Sequence, residues 1–261
     1  MAASTDRELA VEIRPGVFRP DWSIVTASEA RHALHGRMSA RSNLFEKWSH
    51  ALDESEDLVW RAILRLYADR GRPPTSRELV TETGMYPDRI FGLLRNLDRR
   101  DLICMEGNTQ RILRAYPFTE TTTGHLVELN GHSFNALCAI DALGVGSMYR
   151  TDVRIGSTCR FCGETVSIAT AGDGRELGVV SPVDVVVWYD FAFEGNAATS
   201  CCPVIAFFCS DGHLRRWLDV QKPEREGVCL TVEEGLQVGR AIFGPILATP
   251  VSTHNLAPRS R

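Results

Sequence analysis

The sequence predicts an α+β fold, with a winged-helix-like helical N-terminal domain followed by a mixed α+β domain around a small central sheet. Three observations predict it. Apolar positions recur at helical spacing between residues 43 and 117, punctuated by capping signals. From Tyr116 onward the chain breaks into short alternating runs bounded by turns. Two further helical patterns then lie near the C-terminal end, over 213–220 and 231–247. The expected boundaries are an N-terminal extension over 1–42, the winged-helix-like domain over 43–117 and the mixed α+β domain over 118–261.

Each element has its own warrant. Arg14-Pro-Gly and Arg19-Pro-Asp break any helix, so the first residues read as a semi-ordered extension. Leu58, Ala62, Ile63, Leu66 and Tyr67 form a helical stripe that Gly71-Arg-Pro-Pro ends. Thr75-Ser-Arg-Glu78 matches a capping box that opens a second helix. A third begins near Tyr86-Pro and carries Ile90, Leu93, Leu94 and Leu97. Two strands near 101–108 and 111–115 would form the wing. The third helix also carries Arg89, Arg95 and Arg99, with Arg100 beyond, which would permit phosphate contact. A packing role is the plainer reading, because the chain is acidic, with a formal net charge of −4.

Further on, His125–Leu129 reads as a strand and Asn130-Gly-His as a turn. Ser133 or Asn135 would cap an apolar helix holding Cys138 and Asp141. Strands follow near 153–159, 164–170 and 183–188. The wholly apolar run 204–209 reads as a central strand.

Composition bounds the function. At 44% hydrophobic and 24% charged, the chain is ordinary for a globular protein. No window reaches the roughly 18 apolar residues of a membrane span. The first residues lack the apolar core of a signal peptide, so a cytoplasmic location is expected. Nucleic acid and membrane are not expected as partners. The eight cysteines, five of them between 159 and 209, read as reduced thiols or ligands rather than disulfides.

Cys138 and Asp141 stand three residues apart, a spacing that shares one helix face. A thiolate is both a nucleophile and a soft-metal ligand, and a neighbouring carboxylate can carry protons. Cys159-Arg-Phe-Cys162 has the spacing of a zinc knuckle, yet one such pair leaves two ligands unaccounted for. Cys104, Cys209 and Cys229 read as ordinary thiols. The seven histidines show no HExxH pairing, and there is no GxSxG elbow.

Three stretches carry a resemblance. They are Tyr116-Pro-Phe-Thr-Glu-Thr through to Phe134-Asn-Ala-Leu-Cys-Ala-Ile-Asp141, then Ser157-Thr-Cys159 with Thr165-Val-Ser-Ile, then Cys201-Cys-Pro-Val-Ile-Ala-Phe-Phe-Cys-Ser210. Together, from about Arg72 to Leu247, the chain resembles the organomercurial (alkylmercury) lyases. The resemblance implies protonolysis of a carbon–mercury bond, releasing a hydrocarbon and holding Hg(II) between two thiolates. It assigns Cys138 as one mercury-binding cysteine, Asp141 as the acid and Cys159 as a structural cysteine. The second mercury-binding cysteine is Cys202 when counted back from Phe207-Phe208, and Cys201 when the Cys-Cys pair is matched directly. No cofactor is implied; Hg(II) is a bound product, and external thiols are needed for turnover. The partners implied are an organomercurial substrate and a thiol acceptor or mercuric reductase that receives Hg(II). The chain departs from the family pattern at Ala206, Pro203 and the extra Cys162. A non-enzymatic alternative fits the same residues: a soft-metal-responsive winged-helix regulator or a metal-trafficking protein. Asp141 beside Cys138 favours the enzyme, since a thiolate sensor needs no proton donor.

Overall fold

The computed structural model describes residues 9–40, 52–107 and 109–248. Of the expected segments, 1–8, 41–51, Asn108 and 249–261 lie outside the described residues. Eight helices and thirteen strands are described, and no described helix is long and apolar enough to cross a membrane.

The N-terminal stretch is not an extension. β1 (Val11–Arg14) and β2 (Val17–Arg19) pair as a hairpin, and α1 (Ser28–Ala40) follows. The Arg-Pro dipeptides break helices, as read, but Pro15-Gly16 turns a hairpin instead. Its side chains dock inward. Arg14 donates to the Asp57 carboxylate at 2.7 and 3.1 Å and to the carbonyls of Pro245, Ile246 and Ala248. A buried guanidinium is tolerable only with its donors satisfied. Here one arginine ties the hairpin to the first turn of the helix that holds Asp57 and to the 245–248 segment.

α2 (Glu54–Arg70), α3 (Ser76–Thr83) and α4 (Pro87–Arg99) pack through the expected stripes, except that Leu58 is exposed and Val59 and Trp60 face the core in its place. Asp53 and Thr75 form capping boxes with Glu56 and Glu78, and Gly71 closes α2 in the left-handed region. β3 (Ile103–Met105) and β4 (Ile112–Ala115) come next. They do not stand apart as a free wing. Through β5 (Phe118–Thr119) they continue into the main sheet, where Arg114 pairs with Thr119 and Phe118 with Ala136.

The small central sheet is also corrected. β6 (His125–Leu129), β7 (His132–Ala136), β8 (Arg154–Thr158), β9 (Thr165–Ala171) and β10 (Glu176–Ser181) complete an eight-stranded antiparallel sheet, ordered β10-β9-β8-β6-β7-β5-β4-β3. Asn130 and Gly131 both have positive φ, as a type I′ hairpin turn requires, and Leu129 pairs with His132. That hairpin makes 132–136 a strand, so neither Ser133 nor Asn135 caps a helix.

The helix after it, α5 (Ala139–Tyr149), is buried on nearly every side. It lies against α8 (Val232–Phe243) at a crossing of two glycines. A Cβ at Gly239 would meet the Gly144 nitrogen at 2.8 Å and the Ile140 carbonyl at 3.0 Å.

A second sheet has the order β12-β11-β13, formed by β11 (Val186–Asp190), β12 (Ala206–Phe208) and β13 (Gly227–Thr231). The run 204–209 therefore supplies an edge strand, not a central one. It is apolar because both faces are covered. Phe207 faces the main core, and Phe208 faces a second cluster with Trp188 and Trp217. The short α6 (Ala197–Ser200) precedes β12, and α7 (Asp211–Asp219) follows it.

Candidate active site

Cys138 is not on the helix but caps it. Its backbone is extended, two residues after β7 ends, and its sulfur accepts the N–H of Asp141 at 3.4 Å. Asp141 therefore sits in the first turn of α5, where unpaired N–H groups favour negative charge. The Ala139 N–H, another of the exposed donors at this helix start, bonds the carbonyl of Ile205 at 3.1 Å. That bond brings the Cys201-Cys202 segment to the mouth of the same helix.

The cysteine pair is not on a strand either. Cys201 ends α6, and its sulfur donates to the Ala197 carbonyl at 3.5 Å. Cys202 opens a 3-10 turn over Cys202–Val204. On a helical turn neighbouring side chains diverge by roughly 100°, and of the two it is Cys202 that stands with Cys138 and Asp141. The sulfurs of Cys138 and Cys202 and the carboxylate of Asp141 lie within 4.8 Å of one another. All three residues are buried.

The segment carrying Cys202 is held from a distance. Asp101 accepts from the Asn196 side chain at 2.6 Å and from the Ala197 N–H at 3.2 Å. Tyr116 donates to Asp101 at 3.3 Å and accepts the Ala198 N–H at 3.1 Å. Asp101 and Tyr116 thus fix the start of the segment that carries Cys202.

Burial dominates the electrostatics. It raises the Asp141 carboxyl from 3.8 to about 6, although the two thiols, Arg37 and Arg19 pull the other way. Burial also raises the Cys138 thiol, with Asp141 adding to it and Cys202 opposing. Cys202 stands well above the ordinary thiol value, first because it bonds the Cys138 sulfur and then because it is buried. Both sulfurs therefore rest as thiols near neutrality. One oxygen of Asp141, Oδ2, is buried with no hydrogen-bond partner. A polar atom left so is costly unless something is meant to meet it.

Arg19 and Arg37 were not singled out in the sequence. Both lie in the segment read as an extension, and both are buried facing the site. Arg19 donates to the Ile242 carbonyl at 2.9 Å; burial and the Arg37 charge push it down to about 9, so it stays cationic at neutral pH. Arg37 donates to the Tyr189 hydroxyl at 2.8 Å and feels Cys201 and Cys202 as well as Tyr189. The alternation of Val11, Ile13 and Val17 was the available signal that this stretch packs.

Cys159 lies outside this group, at the end of β8, buried near Cys162, Cys209 and His213.

Two buried sulfurs and a buried carboxyl within 4.8 Å of one another make a donor set that suits a soft metal. Residues 118–244 match the family model described as MerB: Alkylmercury lyase. An alkylmercury lyase of Staphylococcus epidermidis is 26% identical over 186 residues, spanning 71% of this chain and 82% of that protein. One of Streptomyces lividans is 25% identical over 199 residues, spanning 74% and 85%. A crystal structure of the mercury-bound form of MerB2 superposes with a TM-score of 0.65 at 24% identity, covering 80% of this chain and 98% of that one. Over residues 118–244 the chain is similar to the organomercurial (alkylmercury) lyases.

Proposed function

We propose that this chain cleaves the carbon–mercury bond of organomercurials by protonolysis, with Cys138 and Cys202 as the mercury-binding thiols and Asp141 as the proton carrier. The observation that carries this reading is the buried grouping of those two sulfurs with a carboxyl raised to about 6. A pure thiolate sensor has no use for such a carboxyl.

The steps balance. The Cys138 sulfur bonds mercury as its thiol proton passes to Asp141, and the substrate's departing anionic ligand leaves. Cys202 then bonds the same mercury and loses its own proton to solvent. Two thiolates increase electron density on the bound carbon. The Asp141 carboxyl delivers its proton to that carbon as the carbon–mercury bond breaks. A hydrocarbon leaves, and Hg(II) stays between two sulfurs. Two external thiols then take Hg(II) by ligand exchange and return protons to Cys138 and Cys202. The Asp141 N–H aimed at the Cys138 sulfur stabilises that sulfur as it becomes a thiolate. Arg19 and Arg37 stabilise the carboxylate left at the end of the cycle.

We read residues 52–117 as a winged-helix-like packing unit, with 118–248 as the catalytic part. In this reading the first unit's contribution is the Asp101 and Tyr116 anchors, not nucleic-acid contact. The need for free external thiols places the reaction in a reducing cytoplasm, where a small thiol or a reductase's thiol pair would accept Hg(II).

The test is benzene release from phenylmercuric acetate in excess thiol, measured by headspace gas chromatography. Enzyme-dependent benzene in step with substrate loss supports the proposal. No benzene above the thiol-only control ends it.

A further inference from the structure

We infer that Cys159, Cys162, Cys209 and His213 form a structural site for a zinc-class divalent ion. The site is separate from the mercury-binding thiols. Their four donor atoms lie within 4.8 Å of one another. The Cys162 and Cys209 sulfurs are 3.7 Å apart, the Cys159 sulfur is 3.7 Å from His213 Nδ1, and the Cys209 sulfur is 2.8 Å from that nitrogen. Zinc–sulfur bonds of about 2.3 Å and zinc–nitrogen bonds of about 2.0–2.1 Å in a tetrahedron require donor separations of roughly 3.5–3.8 Å. Two of the three separations match that range, and the third opens by under an ångström. A disulfide is a different geometry, with sulfurs about 2.05 Å apart.

The surroundings are those of a metal knuckle. The Gly163 N–H bonds the Cys159 carbonyl at 2.9 Å and the Cys159 N–H bonds the Glu164 carbonyl at 2.7 Å, folding 159–164 into a tight turn. On the other side, Ser210 caps α7 by accepting the His213 N–H at 3.3 Å, which fixes His213 one turn after Cys209. Four protein donors leave no open position, so the ion would be structural rather than catalytic. It would join the turn after β8 to the segment between β12 and α7, where the Arg160 N–H already bonds the Phe207 carbonyl at 3.0 Å. The sequence offered the C-x2-C half; the missing half is Cys209-x3-His213, a cysteine read as an ordinary thiol and one of seven scattered histidines.

The experiment uses the full chain, reduced, stripped with a chelator and titrated with zinc alone against a chromophoric competitor. About one equivalent is expected to bind, and Co(II) in its place should give the intense thiolate charge-transfer bands of a tetrahedral site. A Cys138→Ser/Cys202→Ser variant should keep that equivalent. A Cys162→Ser/His213→Ala variant should lose it, together with the zinc-dependent rise in thermal midpoint that mass action gives the parent. Cys162 is exposed, so its substitution leaves the core intact. If the parent binds no zinc, or if the equivalent follows Cys138 and Cys202 instead, the inference is overturned.

Discussion

The N–H of Asp141 points at the sulfur of Cys138 across 3.4 Å, so the thiol caps the helix that carries the buried carboxyl beside it. Sulfur and carboxyl are set by one turn of backbone, and neither can move without the other.

That relationship separates stability from activity at Cys138. Serine is among the preferred N-cap residues, and its oxygen can take over the Asp141 N–H. Cys138→Ser should therefore unfold at the parent's midpoint or above it. Its hydroxyl is a poor ligand for mercury, and benzene release should vanish. Thermal melts beside the gas-chromatographic assay check both halves, and turnover near the parent's would remove Cys138 from the mechanism.

The two adjacent cysteines should differ sharply. Cys201 donates to Ala197 from the end of α6, a bond that serine can keep, while Cys202 stands with Cys138 and Asp141. Cys201→Ser should stay within about tenfold of the parent, under about 1.4 kcal/mol of barrier. Cys202→Ser should fall far below that and release Hg(II) readily. Kinetics of both variants, with Hg(II) retention after gel filtration, decide the order; a reversal would make Cys201 the second ligand.

Gly239→Ala tests how tightly the site depends on helix packing. The added methyl would press on the Gly144 nitrogen and the Ile140 carbonyl of α5, one residue from Asp141. Overpacking of this kind costs about 1–3 kcal/mol. Denaturant unfolding should show that loss. Cleavage should fall too, because α5 cannot yield without moving the carboxyl.

Much of this was legible in the sequence, for identifiable reasons. Capping boxes and glycine stops are local chemistry, so α2 and α3 stand where Thr75, Glu78 and Gly71 put them. The resemblance supplied Cys138, Asp141 and Cys202 as candidates, and the fold groups all three. The register count behind Cys202 assumed a strand, whereas a helical turn separates it from Cys201, and the fold groups Cys202 with Cys138 and Asp141. What stayed hidden was non-local. Arg14, Arg19 and Arg37 look like termini in sequence, and only tertiary docking gives them partners. Cys209 and His213 meet Cys159 and Cys162 only because β12 and α7 return beside the end of β8. The 204–209 run was read as central because apolarity reports coverage of both faces, not position in a sheet.

Asp141→Asn makes the sharpest test, because it should gain stability while losing function. The carboxyl sits at about 6 in the folded chain and near 3.8 when exposed. Between those values the folded state holds the proton more tightly than the unfolded state. Stability therefore falls as pH rises through that window, by about 3 kcal/mol for a shift of roughly two units, and the deficit persists at neutral pH. Asparagine is neutral throughout and nearly the same shape. The variant should be more stable than the parent at pH 7, and the advantage should shrink toward zero near pH 4. Both thiols remain, so Hg(II) binding should persist. Cleavage should drop by at least the 10²–10⁴-fold range typical of a lost general acid. Melts at the two pH values, Hg(II) titration and single-turnover benzene release measure all three. If the variant still cleaves, Asp141 is not the proton carrier; if it is no more stable at pH 7, the carboxyl is not held in the charged form at a cost to the fold.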